Sequence, residues 1–361
     1  MNKTATRNGK VEFWRFIFSV IIMIHHSRYL VGDKNCMFLG GSLAVEFFFL
    51  VSGYLMMASI DRKKDAPTAL GRETIGFLGR KVKGLMPELL IAHLIAWLFV
   101  SFAKDYSLLQ TVRLFVDTFF EVTQLKMSGL PSATVNGVTW YISSMLLSMA
   151  VLYPLLRKYP DMVAHVVVPL IALLLLGYLG GNYDNPRSPT SWIGLTFKGN
   201  LRAMGEICLG VICYLVCKPL SKLSLTRLGK WFVTLAEWVC YLVAIWYMYE
   251  MKATNLDYFV IVILMAGVVL TFSHQGADAN LFDRRLFNIL GKFSVNLFLC
   301  HTFYAQHLKR IIPKGWSDNR KMVLYILCTV ATAFFVSAVA ALLRRITPKV
   351  RGFAKQLLIK A

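Results

Sequence analysis

The chain is short of charge, and shorter still of acid. Only 16% of its 361 residues are charged, with 19 Asp and Glu against 40 Lys and Arg. That shortage, with 57% hydrophobic residues and a mean hydropathy of +0.56, excludes an ordinary soluble globular domain and describes a polytopic membrane protein. No linker, low-complexity tract or internal repeat divides the sequence, which reads as one membrane domain over 1–361 with no appended soluble domain. The seven cysteines lack paired spacing, and Cys208, Cys213, Cys240, Cys300 and Cys328 lie in apolar runs. They read as small core residues and exclude a disulfide framework. Cys213 and Cys217 are one helical turn apart, but no His or Cys pair completes a zinc pattern. A small-residue cleavage site is missing as well, so the basic N-terminus MNKTATRNGK reads as the lead-in to a retained first helix, not a signal peptide.

What the chain does have is long apolar runs, near 12–30, 39–59, 85–103, 136–156, 162–181, 201–217, 230–249, 257–273, 287–307 and 322–343. The expectation is an all-α integral membrane protein, a bundle of about ten transmembrane helices. Segment 108–122, LLQTVRLFVDTFFEV, is amphipathic and too short and polar to span, so it reads as interfacial or re-entrant. Loop charge sets the orientation. With the N-terminus inside, about 24 Lys and Arg fall in inner segments and about 12 in outer ones, which places both termini in the cytoplasm. This bias also absorbs most of the net charge of +21, and no basic stripe interleaved with aromatics points to nucleic acid. One outer segment breaks the rule. Lys309, Arg310, Lys314, Arg320 and Lys321 form either a charged helix boundary or a contact for an anionic glycan or its lipid pyrophosphate.

The stretch that carries most chemistry is Glu12 to Tyr29, EFWRFIFSVIIMIHHSRY. Ionisable side chains at membrane depth cost a few kcal/mol each and face a protein interior or a wet cavity. Arg15 and His26 are separated by three helical turns plus about 20°, so they share a face, roughly 16 Å apart along the axis. Glu12 is one turn from Arg15 and can pair with it. His25 points about 100° away from His26 and reads as a packing or capping residue. A metal site is rejected, because adjacent histidines on one helix cannot easily share an ion and no third ligand is evident. The second run, GGSLAVEFFFLVSGYLM, holds Glu46, either an interhelical polar clamp or a carboxylate that orients His26. Gly53 in the same run serves close helix packing. Trp140 and Tyr141 are placed at the outer interface, as an aromatic belt or a stacking platform for a sugar. His301 shares a span with Ser294 and Asn296 and is either a polar packing residue or part of the cavity.

Four pieces, in order, resemble the bacterial membrane acyltransferase type 3 family. They are Glu12 with Arg15 and His26; Gly41 through Leu55 with Glu46, matching G-x-x-x-V-[DE]-x-F-F-x-x-S-G-[FY]-L; Trp140-Tyr141 followed by Tyr153-Pro154-Leu155-Leu156; and Leu290-Gly291-Lys292-Phe293-Ser294 to His301. The resemblance runs over nearly the whole chain. It departs at Gly84, where a second arginine is common in the run Arg80 to Pro87, and at Met145, where many members have glutamate.

The resemblance implies an O-acyltransferase of the bacterial cytoplasmic (inner) membrane. Its donor would be acyl-CoA, acetyl-CoA foremost, and its acceptor a hydroxyl of a cell-surface polysaccharide or its lipid-linked precursor. His26 is the expected base, or a transient acyl carrier, with Glu46 orienting it. Arg15 is expected to hold a CoA phosphate or the pantetheine end, or to be fixed by Glu12. Arg80, Lys81 and Lys83 are expected at a cytoplasmic helix start, where backbone donors and the helix dipole also favour phosphate. Trp140, Tyr141, His301 and Ser294 are the expected substrate side, and no metal is expected. The rival reading is a transporter or exporter of a glycan or acylated metabolite, since buried Arg, His and Glu also suit proton coupling. The lack of an inverted repeat and of paired broken helices argues against it. A non-catalytic acyl-CoA or lipid sensor is the third reading.

Overall fold

The computed structural model describes residues 8–64, 69–183 and 185–360, with side chains as far as residue 346. Residues 1–7 of the expected N-terminal lead-in lie outside the described residues. The chain is nearly all helix. α1 (Gly9–His26) is followed by a single turn, α2 (Arg28–Val31), and by α3 (Ala44–Asp61), α4 (Leu70–Ala103), α5 (Leu108–Asp117) and α6 (Phe119–Val122). α7 (Thr139–Lys158), the turn α8 (Pro160–Met162), α9 (Val168–Tyr183) and a two-stranded ribbon, β1 (Trp192–Ile193) with β2 (Thr196–Phe197), come next. α10 (Lys198–Leu220), α11 (Arg227–Glu250), α12 (Asp257–Ser273), α13 (Arg285–His307) and α14 (Asp318–Lys360) complete it. The strands pair antiparallel, Trp192 opposite Phe197.

Among the described residues eight helical segments are long and apolar enough to cross a membrane. Of the ten expected spans eight meet these criteria, and the other two are helical but fall outside them. α1 forms as expected but carries Lys10, Glu12 and Arg15 within its 18 residues, and α12 has 17 residues. A second difference lies in α4. Its 34 residues begin at Leu70, so Arg80, Lys81 and Lys83 stand three turns inside a helix. Their amides belong to the helical ladder, and the expected help from free backbone donors and a helix start is absent. Segment 108–122 is helical, as α5 and α6. Leu108, Leu109, Val112 and Val116 of α5 are all more than half exposed, the pattern of a helix lying in an interface.

Polar ties identify the two ends of the bundle. At the near end, where α1 begins, Lys10 Nζ meets Glu237 at 2.8 Å and Asp278 at 2.7 Å, joining α1 to α11 and the loop before α13. At the far end, where α1 stops, Arg187 Nε lies 2.8 Å from the Asp257 carboxylate, and Tyr325 donates to the Met23 carbonyl at 2.8 Å. Between them lies an aromatic core, with Trp14 4.1 Å from Tyr241 and Phe18 4.7 Å from Phe47, ring to ring.

Apolar burial drives helices into a bilayer but does little to hold them together there; close packing and hydrogen bonds do that. Two seams leave no room for a Cβ at a glycine, the first of them backbone against backbone. Where α3 crosses α10, a Cβ on Gly53 would overlap the Ile207 carbonyl, and one on Gly210 the Leu50 carbonyl. Where α1 meets α13, a Cβ on Gly291 would overlap the Glu12 carboxylate. Gly53→Ala, Gly210→Ala and Gly291→Ala are each expected to destabilise the purified protein by about 1–3 kcal/mol, the range for overpacking. Gly177→Ala, with open space around it, is expected to change nothing. Thermal unfolding in detergent that gives all four the same midpoint as wild type would rule out the two seams.

Candidate active site

His26 is the last residue of α1 and meets α13. Its Nδ1 lies 2.8 Å from the Ile22 carbonyl and 3.3 Å from Nε2 of His301. Nδ1 of His301 in turn lies 3.2 Å from the Leu297 carbonyl. A carbonyl only accepts, so the partners assign the protons: both rings carry theirs on Nδ1. His301 then accepts from His26, and Nε2 of His26 is left with a free lone pair. Among the described residues that atom has no hydrogen-bond partner, and His26 is half-buried whereas His301 is fully buried. The pair is a base held in one tautomer with a second imidazole behind it.

The His25 ring turns away and takes the Phe38 carbonyl at 2.8 Å through Nδ1, fixing the loop before α3. Half-buried Arg15 sits lower on α1 with Nη1 3.3 Å from Glu12, itself pressed against Gly291. Lys81 reaches inward from α4, its Nζ 5.2 Å above the Phe77 ring and close enough for the Arg15 charge to act on it. Arg80 and Lys83 of the same run are exposed. The expected basic set therefore divides, with Lys81 alone joining Arg15.

Tyr141 stands between the two polar groups. It is buried, not interfacial, and shares a hydrogen bond with Ser52 at 3.2 Å. Its ring lies 5.7 Å from Phe298, which lies 5.9 Å from His301. The Ser294 hydroxyl is spent on the Gly291 carbonyl at 2.8 Å, inside its own helix. Trp140 has the Arg202 guanidinium 5.6 Å over its ring, so that face is already occupied.

Glu46 does not orient His26. It is fully buried, and its carboxylate is bound by Arg202 through Nη2 and, at 3.2 Å, Nε. Arg202 also holds Glu206 at 3.0 Å, so one guanidinium serves two buried carboxylates. Neither Arg202 nor Glu206 was picked out from the sequence, although an Arg and a Glu four residues apart inside an apolar span are the same signal that exposes Glu46. Glu121 is the other silent residue. Fully buried in α6, it accepts from the backbone amides of Val135 and Asn136 and from the Thr139 hydroxyl at 2.9–3.1 Å. Burial nevertheless pushes its carboxyl above the ordinary range, against the lowering by Lys126 and these donors. It thereby fixes Asn136, which donates to the Leu299 carbonyl at 2.7 Å and accepts from Thr302 at 2.9 Å. The loop before α7 is docked beside His301 in this way.

Removing one partner from a buried charge cluster costs about 3–5 kcal/mol, because the remaining charge is stranded. Arg202→Met is therefore expected to abolish recovery of monodisperse protein. The triple variant Arg202→Met with Glu46→Gln and Glu206→Gln, which strands none, is expected to restore it. Recovery of the single variant at the wild-type level on size exclusion would refute the clamp.

Residues 8–342 match the acyltransferase domain that defines the acyltransferase 3 family. No curated protein matches the chain, and no solved structure does. A match over this span, on a helical bundle with the histidine pair at one end, settles the family: the chain belongs to the acyltransferase 3 family and is a multi-pass membrane acyltransferase.

Proposed function

We propose that the protein is an O-acyltransferase of the bacterial cytoplasmic membrane. It would move an acyl group, acetyl foremost, from acyl-CoA to a hydroxyl of a cell-surface polysaccharide or its lipid-linked precursor. The observation that carries this reading is the fixed tautomer of His26, with its Nε2 lone pair free. Both termini would face the cytoplasm, so the near end receives the donor and the far end the acceptor.

A thioester is already activated; what the reaction needs is a base for the incoming hydroxyl. The hydroxyl oxygen attacks the thioester carbonyl carbon while Nε2 of His26 takes the hydroxyl proton. The carbon–sulfur bond breaks, and the same proton passes to the leaving thiolate to give free CoA. While His26 is protonated, its Nδ1–H remains bound to the Ile22 carbonyl and His301 Nε2, both acceptors. Arg15 and Lys81, roughly 16 Å back along the helix, offer two cations to the phosphates of the donor. Tyr141 and Phe298 line the interval between.

Purified protein in lipid nanodiscs with radiolabelled acetyl-CoA and extracted envelope glycans tests this directly. His26→Ala is expected to lower acyl transfer by about 10²- to 10⁴-fold, the contribution of a positioned base, while unfolding at the wild-type temperature. Transfer at the wild-type rate would remove His26 from the chemistry. Lys81→Ala and Arg15→Ala are expected to raise the KM for the donor and leave that for the glycan unchanged. An unaltered donor KM in both would reduce Arg15 to a structural partner of Glu12.

A further inference from the structure

The far end of the bundle carries a group of cations that this chemistry does not use. α4 and α13 run side by side there, the Phe99 ring 4.7 Å from that of Tyr304 and 5.8 Å from that of Phe303. One turn beyond these contacts α4 ends at Lys104, and α13 gives way to Lys309 and Arg310. The charges of Lys104, Lys309 and Arg310 all act on the His307 ring. Among the described residues none of the three cations has an ion-pair partner, while their neighbours do: Arg28 pairs with Asp33 and Lys321 with Asp318. Asp105, exposed beside Lys104, is the only acid adjacent in sequence to any of the three. Nδ1 of His307 is buried and without a partner. Three like charges acting on an imidazole with a buried, unpartnered nitrogen repel one another, and an anion between them relieves that repulsion.

The next helix sets the depth. Leu108 and Leu109 are 82% and 79% exposed at the start of α5, whose Thr111 carbonyl is held by Trp97 Nε1 at 2.8 Å. An amphipathic helix with its apolar face bare lies in the headgroup plane. Lys104 precedes it by four residues, so the cations stand at the level of lipid phosphates. Position along α13 gives the reach. His307 is six residues beyond His301, about 9 Å along the axis.

We propose that Lys104, His307, Lys309 and Arg310 bind the phosphate of a lipid-linked glycan, and so that the acceptor is taken up on its lipid carrier and not as finished polymer. The last step rests on the acyltransferase reading above; the binding itself does not. A phosphate seated there brings the sugar it carries alongside the His26–His301 pair.

The probe is a polyprenyl monophosphate titrated into phosphatidylcholine nanodiscs holding the full chain, with binding read by native mass spectrometry. The triple variant Lys104→Ala, Lys309→Ala, Arg310→Ala is expected to bind about 100-fold more weakly, at about fivefold for each cation near a membrane surface. His26→Ala, impaired in transfer, is expected to bind as wild type does, so a failure of the catalytic reading leaves this test intact. Equal binding by wild type and triple variant, both with unchanged unfolding temperature, overturns the site. Displacement by phosphatidylglycerol at equal concentration, or by millimolar inorganic phosphate, overturns a lipid-linked acceptor in favour of a general anion patch.

Discussion

Everything in this bundle depends on the contact of α1 with α13. A helix carrying Glu12, Arg15 and His26 has no stable place facing lipid, since each ionisable group at that depth costs a few kcal/mol without partners. α13 supplies the partners at both levels. Gly291 leaves room for the Glu12 carboxylate, and His301 receives His26 two helical turns from the far end. Because both ends of the seam are specified, α1 can neither rotate nor slide by a residue without losing the His26–His301 contact and forcing Glu12 out of the space beside Gly291. The Ile22 carbonyl of its own helix fixes the tautomer of His26, and that register adds His301 Nε2 as the second acceptor of the same proton.

The same principle organises the other polar groups. Arg202 answers Glu46 and Glu206, Lys10 answers Glu237 and Asp278, and Arg187 answers Asp257. In these clusters each cation is taken up by carboxylates, although one oxygen of Glu206 is buried without a hydrogen-bond partner. Among the described residues His26 differs in having one nitrogen without a hydrogen-bond partner, and Lys81 in facing the Phe77 ring with no ion pair. Chemistry is concentrated where the accounts do not balance.

Much of this was legible in the sequence. The shared face of Arg15 and His26 follows from helical spacing alone, and the pairing of Glu12 with Arg15 from a separation of one turn. Gly53 between bulky residues announced a close helix crossing, and it lies at one. What spacing could not supply was the identity of long-range partners. Glu46 looked like a companion for His26 because a short loop separates them in sequence, yet Arg202, 156 residues away, takes its carboxylate. A guanidinium binds a carboxylate through two donors at once, which a single imidazole nitrogen cannot match. The start of α4 was misplaced for a related reason. Apolar periodicity marks where a helix enters the bilayer and is blind to the turns that extend beyond it, so Arg80 to Lys83 looked terminal when they are internal.

That misplacement changes how a donor would be held. Phosphate at a helix start is bound by backbone amides, which any sequence provides; phosphate against the flank of a helix has only side chains. With Arg80 and Lys83 turned outward, the inner binding capacity falls to Arg15 and Lys81, on two different helices. A donor held by one cation from α1 and one from α4 is held across a helix–helix interface, so its binding energy is available to tighten that interface. α1 is also the helix that ends in His26. On the proposed function, donor binding at one level would then be linked to the placement of the base at the other through the same helix, over roughly 16 Å.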